Sequence, residues 1–278
     1  MKIKEKVVVI SGAGSGIGRA TALLCASSGA SLAISDLDAG KLKETENLLK
    51  EHGTPVHALT LDVSDWGGYQ EYGQKVIDHY GHVDIVLNNA GVALGSFTVE
   101  EVDIDQFKWL MDINFWGMVY GTKVFLPHLK KRKESTLINI SSILGLGAVS
   151  EQSPYCSSKF AIRGFTESLR MEAMVDFPHV NILSVHPGGI KTNIAKNANW
   201  ADKVISQEEK DRLATEFEKT FINSPAYAAE AIIKAVQKKN KRLLIGNDAK
   251  RMWRIINWFP VRYTRFLYNS LIKDLDIR

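Results

Sequence analysis

An unbroken apolar run, Val7-Val8-Val9-Ile10, leads directly into Ser11-Gly12-Ala13-Gly14-Ser15-Gly16-Ile17-Gly18 and then into a segment of helical period. A strand without in-out alternation is one covered on both faces, the condition of a strand inside a parallel sheet. Glycines after it allow a tight turn and let backbone approach a ligand closely. The helix that follows offers free amide groups and the positive end of its dipole to anything lying in that turn, a phosphate above all. The spacing Gly-xxx-Gly-x-Gly departs from GxGxxG, so the strand before and the helix after give the run its meaning. The alternative is a glycine turn needed only to pack strand on helix.

The alternation continues along the chain. Strand-like Lys6 to Ser11, Ala30 to Asp36, Val56 to Val63 and Val83 to Asn88 alternate with helix-period Gly16 to Ser28, Ala39 to Glu51 and Trp66 to Tyr80. A helix from Asp103 to Lys131, a strand at Thr136 to Ser141, a helix from Ser153 to about Val175 and a strand at Val180 to Pro187 follow, with Arg242 to Gly246 as a last strand. This order predicts an α/β fold, a Rossmann-like doubly wound parallel sheet. No internal repeat or Pro/Gly-rich linker interrupts it, so residues 1–246 are expected to form a single domain with 247–278 as a helical C-terminal extension.

Composition sets limits on function. The chain has 278 residues, 45% hydrophobic and 24% charged, which suits a soluble globular protein. No stretch reaches the ~20 apolar residues that span a bilayer, and Met1 to Lys6 runs straight into a strand, leaving no room for a signal peptide. A cytoplasmic location is expected. Two cysteines, Cys25 and Cys156, form no disulfide framework and lack metal-ligand spacing, so no metal site is expected. Of the net charge of +4, residues 241–278 carry nine Lys or Arg against three Asp. Basicity confined to the tail argues against a general nucleic-acid binder.

Two features carry chemistry. Tyr155 and Lys159 in Ser153-Pro154-Tyr155-Cys156-Ser157-Ser158-Lys159 fall one helical turn apart, with Ser153 suited to the N-cap and Pro154 to the first helical position. An ammonium beside a phenol favours the phenolate, and this predicts that the Tyr155 pKa moves down from ~10 toward the range useful for general acid-base catalysis. Asp36 ends the second strand eighteen residues beyond Gly18, where a carboxylate accepts hydrogen bonds from adenosine ribose hydroxyls and repels a 2'-phosphate. Neither Ser15 nor Leu37 supplies a countering cation, so NAD is expected over NADP. Alternatively, Asp36 only caps the loop with Asp38.

The glycine run, Asn88-Asn89-Ala90-Gly91 after a strand, Ser142 thirteen residues before Tyr155, Lys159, and Pro187-Gly188 ending another strand together resemble the classical short-chain dehydrogenase/reductase family over residues 5 to about 246. The resemblance implies a catalytic tetrad of Asn114, Ser142, Tyr155 and Lys159. It implies NAD binding by Gly12, Ser15, Gly16, Ile17 and Gly18 at the pyrophosphate, Asp36 at the ribose, and Asp62 and Val63 at the adenine. Asn89, Ala90 and Gly91 would flank the adenosine side, Pro187, Gly188, Ile190 and Thr192 the nicotinamide, and Tyr155 and Lys159 would touch the cofactor as well. Asn88 is expected to tie neighbouring strands together. Asn114 shares an apolar helical face with Phe107, Leu110, Met111 and Met118, so its amide needs a partner, and a water joining it to Lys159 would supply one. Three tetrad members have structural alternatives: Asn114 as a core amide, Ser142 as a turn serine beside Ser141, Lys159 as a solvated cation.

The resulting expectation is an NAD-dependent oxidoreductase that interconverts a secondary alcohol and a ketone or aldehyde with Tyr155 as general acid/base. The alternative is an inactive dinucleotide-sensing scaffold, which would need the glycines and Asp36 but neither Ser142 nor Tyr155. A sugar-nucleotide epimerase or dehydratase would call for a larger C-terminal domain. A loop over about 189–223, with Ile190, Ile194, Ala195, Ala198 and Trp200, is expected to cover the substrate. Val92, Ala93, Leu94, Ile143, Leu144 and Leu146 near it point to a lipophilic substrate. In the extension, Met252, Ile255, Ile256 and Phe259 share one helical face, and Pro260 separates this helix from a second at Arg262 to Ile272. Such a basic, aromatic segment packs over the pocket or a partner subunit, or lies on an anionic membrane surface. The resemblance implies a homodimer or homotetramer formed through the Asn114 and Tyr155 helices.

Overall fold

In the computed structural model, which describes residues 1–200 and 221–268 together with positions 206, 208, 210, 212 and 215, seven parallel strands form one sheet in the order β3-β2-β1-β4-β5-β6-β7. The strands are β1 (Val7–Ser11), β2 (Ser31–Asp36), β3 (Val56–Thr60), β4 (Ile85–Asn88), β5 (Ser135–Ile140), β6 (Val180–Pro187) and β7 (Arg242–Ile245). The helices are α1 (Gly16–Ser27), α2 (Ala39–Lys50), α3 (Trp66–Tyr80), α4 (Ile104–Met111), α5 (Gly117–Leu129), α6 (Ser153–Asp176), α7 (Pro225–Gln237), α8 (Asn247–Trp258) and α9 (Tyr263–Leu267). The order reverses between β1 and β4, and the C-terminal ends of these strands open the crevice where such sheets bind ligands.

Unalternated strands are explained by the packing. Val8 and Ile10 of β1 join a core with α1 and α7, including Ala22, Cys25, Ile232 and Val236, while Val7 and Val9 join a core on the other face with Tyr72, Val76, Phe125 and Leu169. Both faces are thus dry. Each fully buried Val, Leu or Ile contributes ~1.5–3 kcal/mol from removal of apolar surface from water.

Several boundaries differ from expectation. The segment Asp103 to Lys131 is broken into α4, a π-helical turn (Asp112–Trp116) and α5. The extra residue of a π-turn redirects side chains, and Asn114 lies within it. Strand β3 stops at Thr60. Ser153 is the first residue of α6, with Gln152 at the cap position, and the buried Ser153 hydroxyl has no partner among the described residues. Phe259 does not share the buried stripe of α8; it is exposed. The second tail helix begins at Tyr263, and its expected stretch to Ile272 lies outside the described residues beyond Tyr268. Most positions of the expected covering loop between 201 and 220 lie outside them too.

Candidate active site

The crevice is built first by the glycine turn. Gly12 and Gly16 adopt φ of 66° and 54°, left-handed values that favour glycine. A Cβ on Gly18 would stand 2.1 Å from the Gly12 carbonyl oxygen, and one on Gly12 would stand 2.7 Å from Ala90 Cα. Asn89 secures the turn by donating from Nδ2 to the Ser11 and Gly12 carbonyls, each at 3.0 Å, and its own N–H donates to Ser11 Oγ at 3.1 Å. Ser15, at the cap of α1, makes no side-chain capping bond among the described residues, so the first-turn amides around Gly16 and Ile17 face the crevice free of that competitor. This uncapped helix end at the sheet's switch point fits a dinucleotide pyrophosphate. Thr192 reaches across from the loop after β6, its methyl 3.0 Å from where a Gly16 Cβ would be.

Asp36 is pinned rather than mobile. Its Oδ2 accepts from Gly14 N at 2.8 Å and its Oδ1 from Asp38 N at 3.0 Å, leaving lone pairs on both oxygens. The loop-capping alternative therefore holds alongside any role toward a ribose. Arg19, passed over in the sequence although it follows Gly18 directly, brings a cation to this end of the crevice. Its Nη2 donates to the Lys41 carbonyl at 3.1 Å and pairs with Glu44 at 2.9 Å, while Nε donates to Thr45 Oγ1 at 2.8 Å. Asp62 accepts from Ser64, and Val63 is buried against Gly117. Asn88 donates to Asn139 Oδ1 at 2.9 Å and so ties β4 to β5.

Asn114, Ser142, Tyr155 and Lys159 converge beside Gly91. A Cβ there would meet Asn114 Oδ1 at 3.1 Å and Lys159 Nζ at 3.5 Å. Asn114 finds its partners in the protein: Oδ1 accepts from Val92 N at 2.8 Å, and Nδ2 donates to the Val92 carbonyl at 3.0 Å and to Ser158 Oγ at 3.2 Å. Both amide hydrogens are used, so the partner expected from a water is supplied by Val92 and Ser158. Ser142 Oγ accepts from Leu144 N at 3.1 Å, which leaves its hydrogen free to point elsewhere.

The electrostatics reverse one expectation. Lys159 is buried, donates to the Ile140 carbonyl at 3.3 Å, and approaches the face of the Tyr155 ring at 5.4 Å from its centroid. Burial disfavours both charged forms: it pushes the Tyr155 phenol up to about 12, with the facing Ser142 side chain opposing the rise, and draws Lys159 down to about 8. The ammonium sits over the ring rather than at the hydroxyl, so desolvation outweighs its pull.

His186, also unremarked in the sequence, lies wholly buried behind Ser142. Its Nδ1 stands 3.0 Å from the Ser142 carbonyl oxygen and its Nε2 2.7 Å from Ser184 Oγ. A carbonyl only accepts, so Nδ1 carries the hydrogen and Nε2 receives the serine's. Burial holds its pKa down at about 4, so the ring is neutral.

Walls around Tyr155 are apolar. Leu94, Phe97, Val102 and Leu110 form a buried cluster against which Val92, Phe107 and Tyr155 pack. Trp200 closes over Gly95, and the loop bearing it is stitched on by Gly95 N to Asn199 O at 2.9 Å and Asn199 N to Ala93 O at 3.0 Å. Pro187 ends β6, Gly188 and Ile190 follow it, and Ile190 pairs with Asn223. From the extension, Asp248 Oδ2 accepts from Gly189 N at 2.6 Å while its Oδ1 is buried without a partner among the described residues. Met252 and Ile256 press on Gly147, Tyr263 accepts from Ala148 N at 3.0 Å, and Trp253 lies between Arg163 and Arg242. The extension thus packs on the loop that follows Ser142.

The short chain dehydrogenase family profile matches residues 6–203. SadH of Mycobacterium tuberculosis, provisionally named an oxidoreductase, is 42% identical over 246 residues, 88% of this chain and 87% of its own. Among solved structures, a short chain dehydrogenase/reductase from Burkholderia phymatum in complex with NAD superposes with a TM-score of 0.86 at 27% identity, covering 93% of this chain and 95% of that one. An alcohol dehydrogenase from Thermococcus sibiricus complexed with 5-hydroxy-NADP gives 0.73 at 26% identity, over 87% of this chain and 96% of that one.

Proposed function

The chain belongs to the short-chain dehydrogenase family, and from that premise we propose that it interconverts a lipophilic secondary alcohol and its ketone with NAD(H). Bound NAD(H) would supply or receive the hydride. Gly12, Ser15, Gly16, Ile17 and Gly18 would hold the pyrophosphate, Asp36 the adenosine ribose, Asp62 and Val63 the adenine, and Asn89, Ala90 and Gly91 the adenosine side. Pro187, Gly188, Ile190 and Thr192 would border the nicotinamide.

The observation that carries the reading is the convergence of Ser142, Tyr155 and Lys159 beneath an apolar wall. Ser142, with its hydroxyl hydrogen free, donates to the substrate oxygen and holds it before Tyr155. Tyr155 gives its proton to that oxygen in reduction and takes it back in oxidation. A phenol at about 12 keeps the proton through the neutral range, the form that reduction uses, so oxidation by the same residue quickens as pH rises. Lys159 would hold the nicotinamide ribose, and Asn114 fixes the segment after β4 to α6. An inactive sensor would have no use for this group.

Support for NAD comes from the pinned carboxylate of Asp36, whose charge opposes a 2'-phosphate, while the nearby Arg19 already answers Glu44. Support for a lipophilic substrate comes from Leu94 and Phe97 packed with Tyr155 and from Trp200 beside Phe97. Exposed Trp116 and Phe160, at 44% and 39%, favour a homo-oligomer built through the helices that bear Asn114 and Tyr155. The test follows nicotinamide absorbance with both cofactors across secondary alcohols and ketones graded by apolar size. Rates rising with bulk, and lost in Tyr155→Phe while cofactor still binds, are the expected result; preference for polar polyols, or turnover retained in the variant, refutes it.

A further inference from the structure

The outer side of the C-terminal extension combines cations with exposed apolar side chains. Between Asp248 and Asp274 the sequence holds no acidic residue and carries Lys250, Arg251, Arg254, Arg262, Arg265 and Lys273. Inward, Ala249, Met252 and Ile256 of α8 face the body; outward, Arg251, Arg254 and Trp258 follow one another at spacings of three and four, on one helical stripe. The turn that ends α8 then presents Trp258, Phe259 and Val261 to solvent at 79%, 52% and 80% exposure. Lys250, Arg251, Arg254, Arg262 and Arg265 are exposed and form no ion pair among the described residues.

We infer that the outward face of α8 and the turn Trp258–Val261 dock on a bilayer carrying anionic lipid, the three apolar side chains entering the headgroup boundary and the cations facing phosphates. Charge decides between occupants. A second copy packed on this patch would oppose the same cations across a two-fold axis, a like-charge contact. An anionic bilayer answers them all and accepts Trp and Phe at the depth these side chains favour. No helix among the described residues is long and apolar enough to cross a membrane, so contact would be peripheral. The inference does not depend on the proposed reaction, because its test reads binding.

Flotation of the full chain with vesicles of phosphatidylcholine, and with an equal mixture of phosphatidylcholine and phosphatidylglycerol, tests it. The protein should float with the mixed vesicles at low salt and sink with phosphatidylcholine alone. Removing Arg251, Arg254 and Arg262 as glutamines should cut partition by about fivefold per arginine, and Trp258→Ser with Phe259→Ser should abolish it. Circular dichroism of both variants checks that they are folded. No flotation, flotation indifferent to lipid charge, or variants floating like the parent overturns the idea. So does a drop in oligomer mass by light scattering in the Trp258, Phe259 variant, which makes the patch a subunit contact.

Discussion

His186 Nδ1 donates to the carbonyl oxygen of Ser142 across 3.0 Å, joining the end of β6 to the residue that faces Tyr155. The ring is neutral and fixed in one tautomer, and this makes it a sensor of acid in the folded state. The unfolded chain takes up a proton near 6.5, whereas the folded one refuses it until about 4. Stability therefore falls as pH drops through that window, by on the order of 3 kcal/mol. His186→Asn, which keeps an N–H donor, should flatten this part of the profile in thermal melts from pH 7 to 4. An unchanged acid slope rules the account out.

Lys159 gives the opposite sign. Its folded pKa of about 8 lies below the ordinary 10.5, so the unfolded chain holds more protons between those values and stability rises with pH across them. Below 8 the burial cost is present in full, on the order of 3 kcal/mol before its bond to Ile140 and its contact with the Tyr155 ring are counted. Lys159→Met should thus melt a few degrees higher than the parent at pH 7, lose that advantage by pH 10, and lose turnover at both. A variant less stable at both pH values contradicts this.

Asp248 links the extension to the loop bordering the proposed nicotinamide site. Asp248→Ala strips Gly189 N of its acceptor and should cost ~1–3 kcal/mol in melts while raising KM for the cofactor more than it lowers kcat. Asp248→Asn retains an acceptor oxygen and should recover most of both. Equal KM in parent and alanine variant would show that the link does not reach the site.

Asp36→Ala removes the charge opposing a 2'-phosphate. The ratio of kcat/KM for NAD to that for NADP should fall at least about tenfold, a change of ~1.4 kcal/mol. A constant ratio leaves the ribose assignment without support.

The parallel sheet was legible because Val7 to Ile10 and Ile85 to Leu87 are apolar at every position, and only double coverage explains that. Short motifs just after strands likewise marked Gly12, Asn89 and Ser142, and the Tyr155 to Lys159 spacing marked the start of α6. What stayed hidden depends on contacts far apart in the chain. Nothing local marks His186 as the partner of a carbonyl forty-four residues away, or Arg19 as a neighbour of Glu44. The π-turn at Asn114 leaves helical periodicity almost intact, so one continuous helix was the natural expectation. The direction of the Tyr155 pKa is hidden for a related reason: spacing gives proximity to Lys159 but not the burial that both groups share.

Gly189 and Asn223 meet at the two ends of the segment between them, where Asn223 N bonds Gly189 O at 3.1 Å and Lys191 N bonds Asn223 O at 2.8 Å. A chain that leaves and returns through one doorway behaves as a cassette: whatever is inserted between those posts leaves the register of β6 and β7 untouched. Grafting residues 191–222 from a relative should therefore exchange substrate preference while the rest of the protein keeps its melting behaviour.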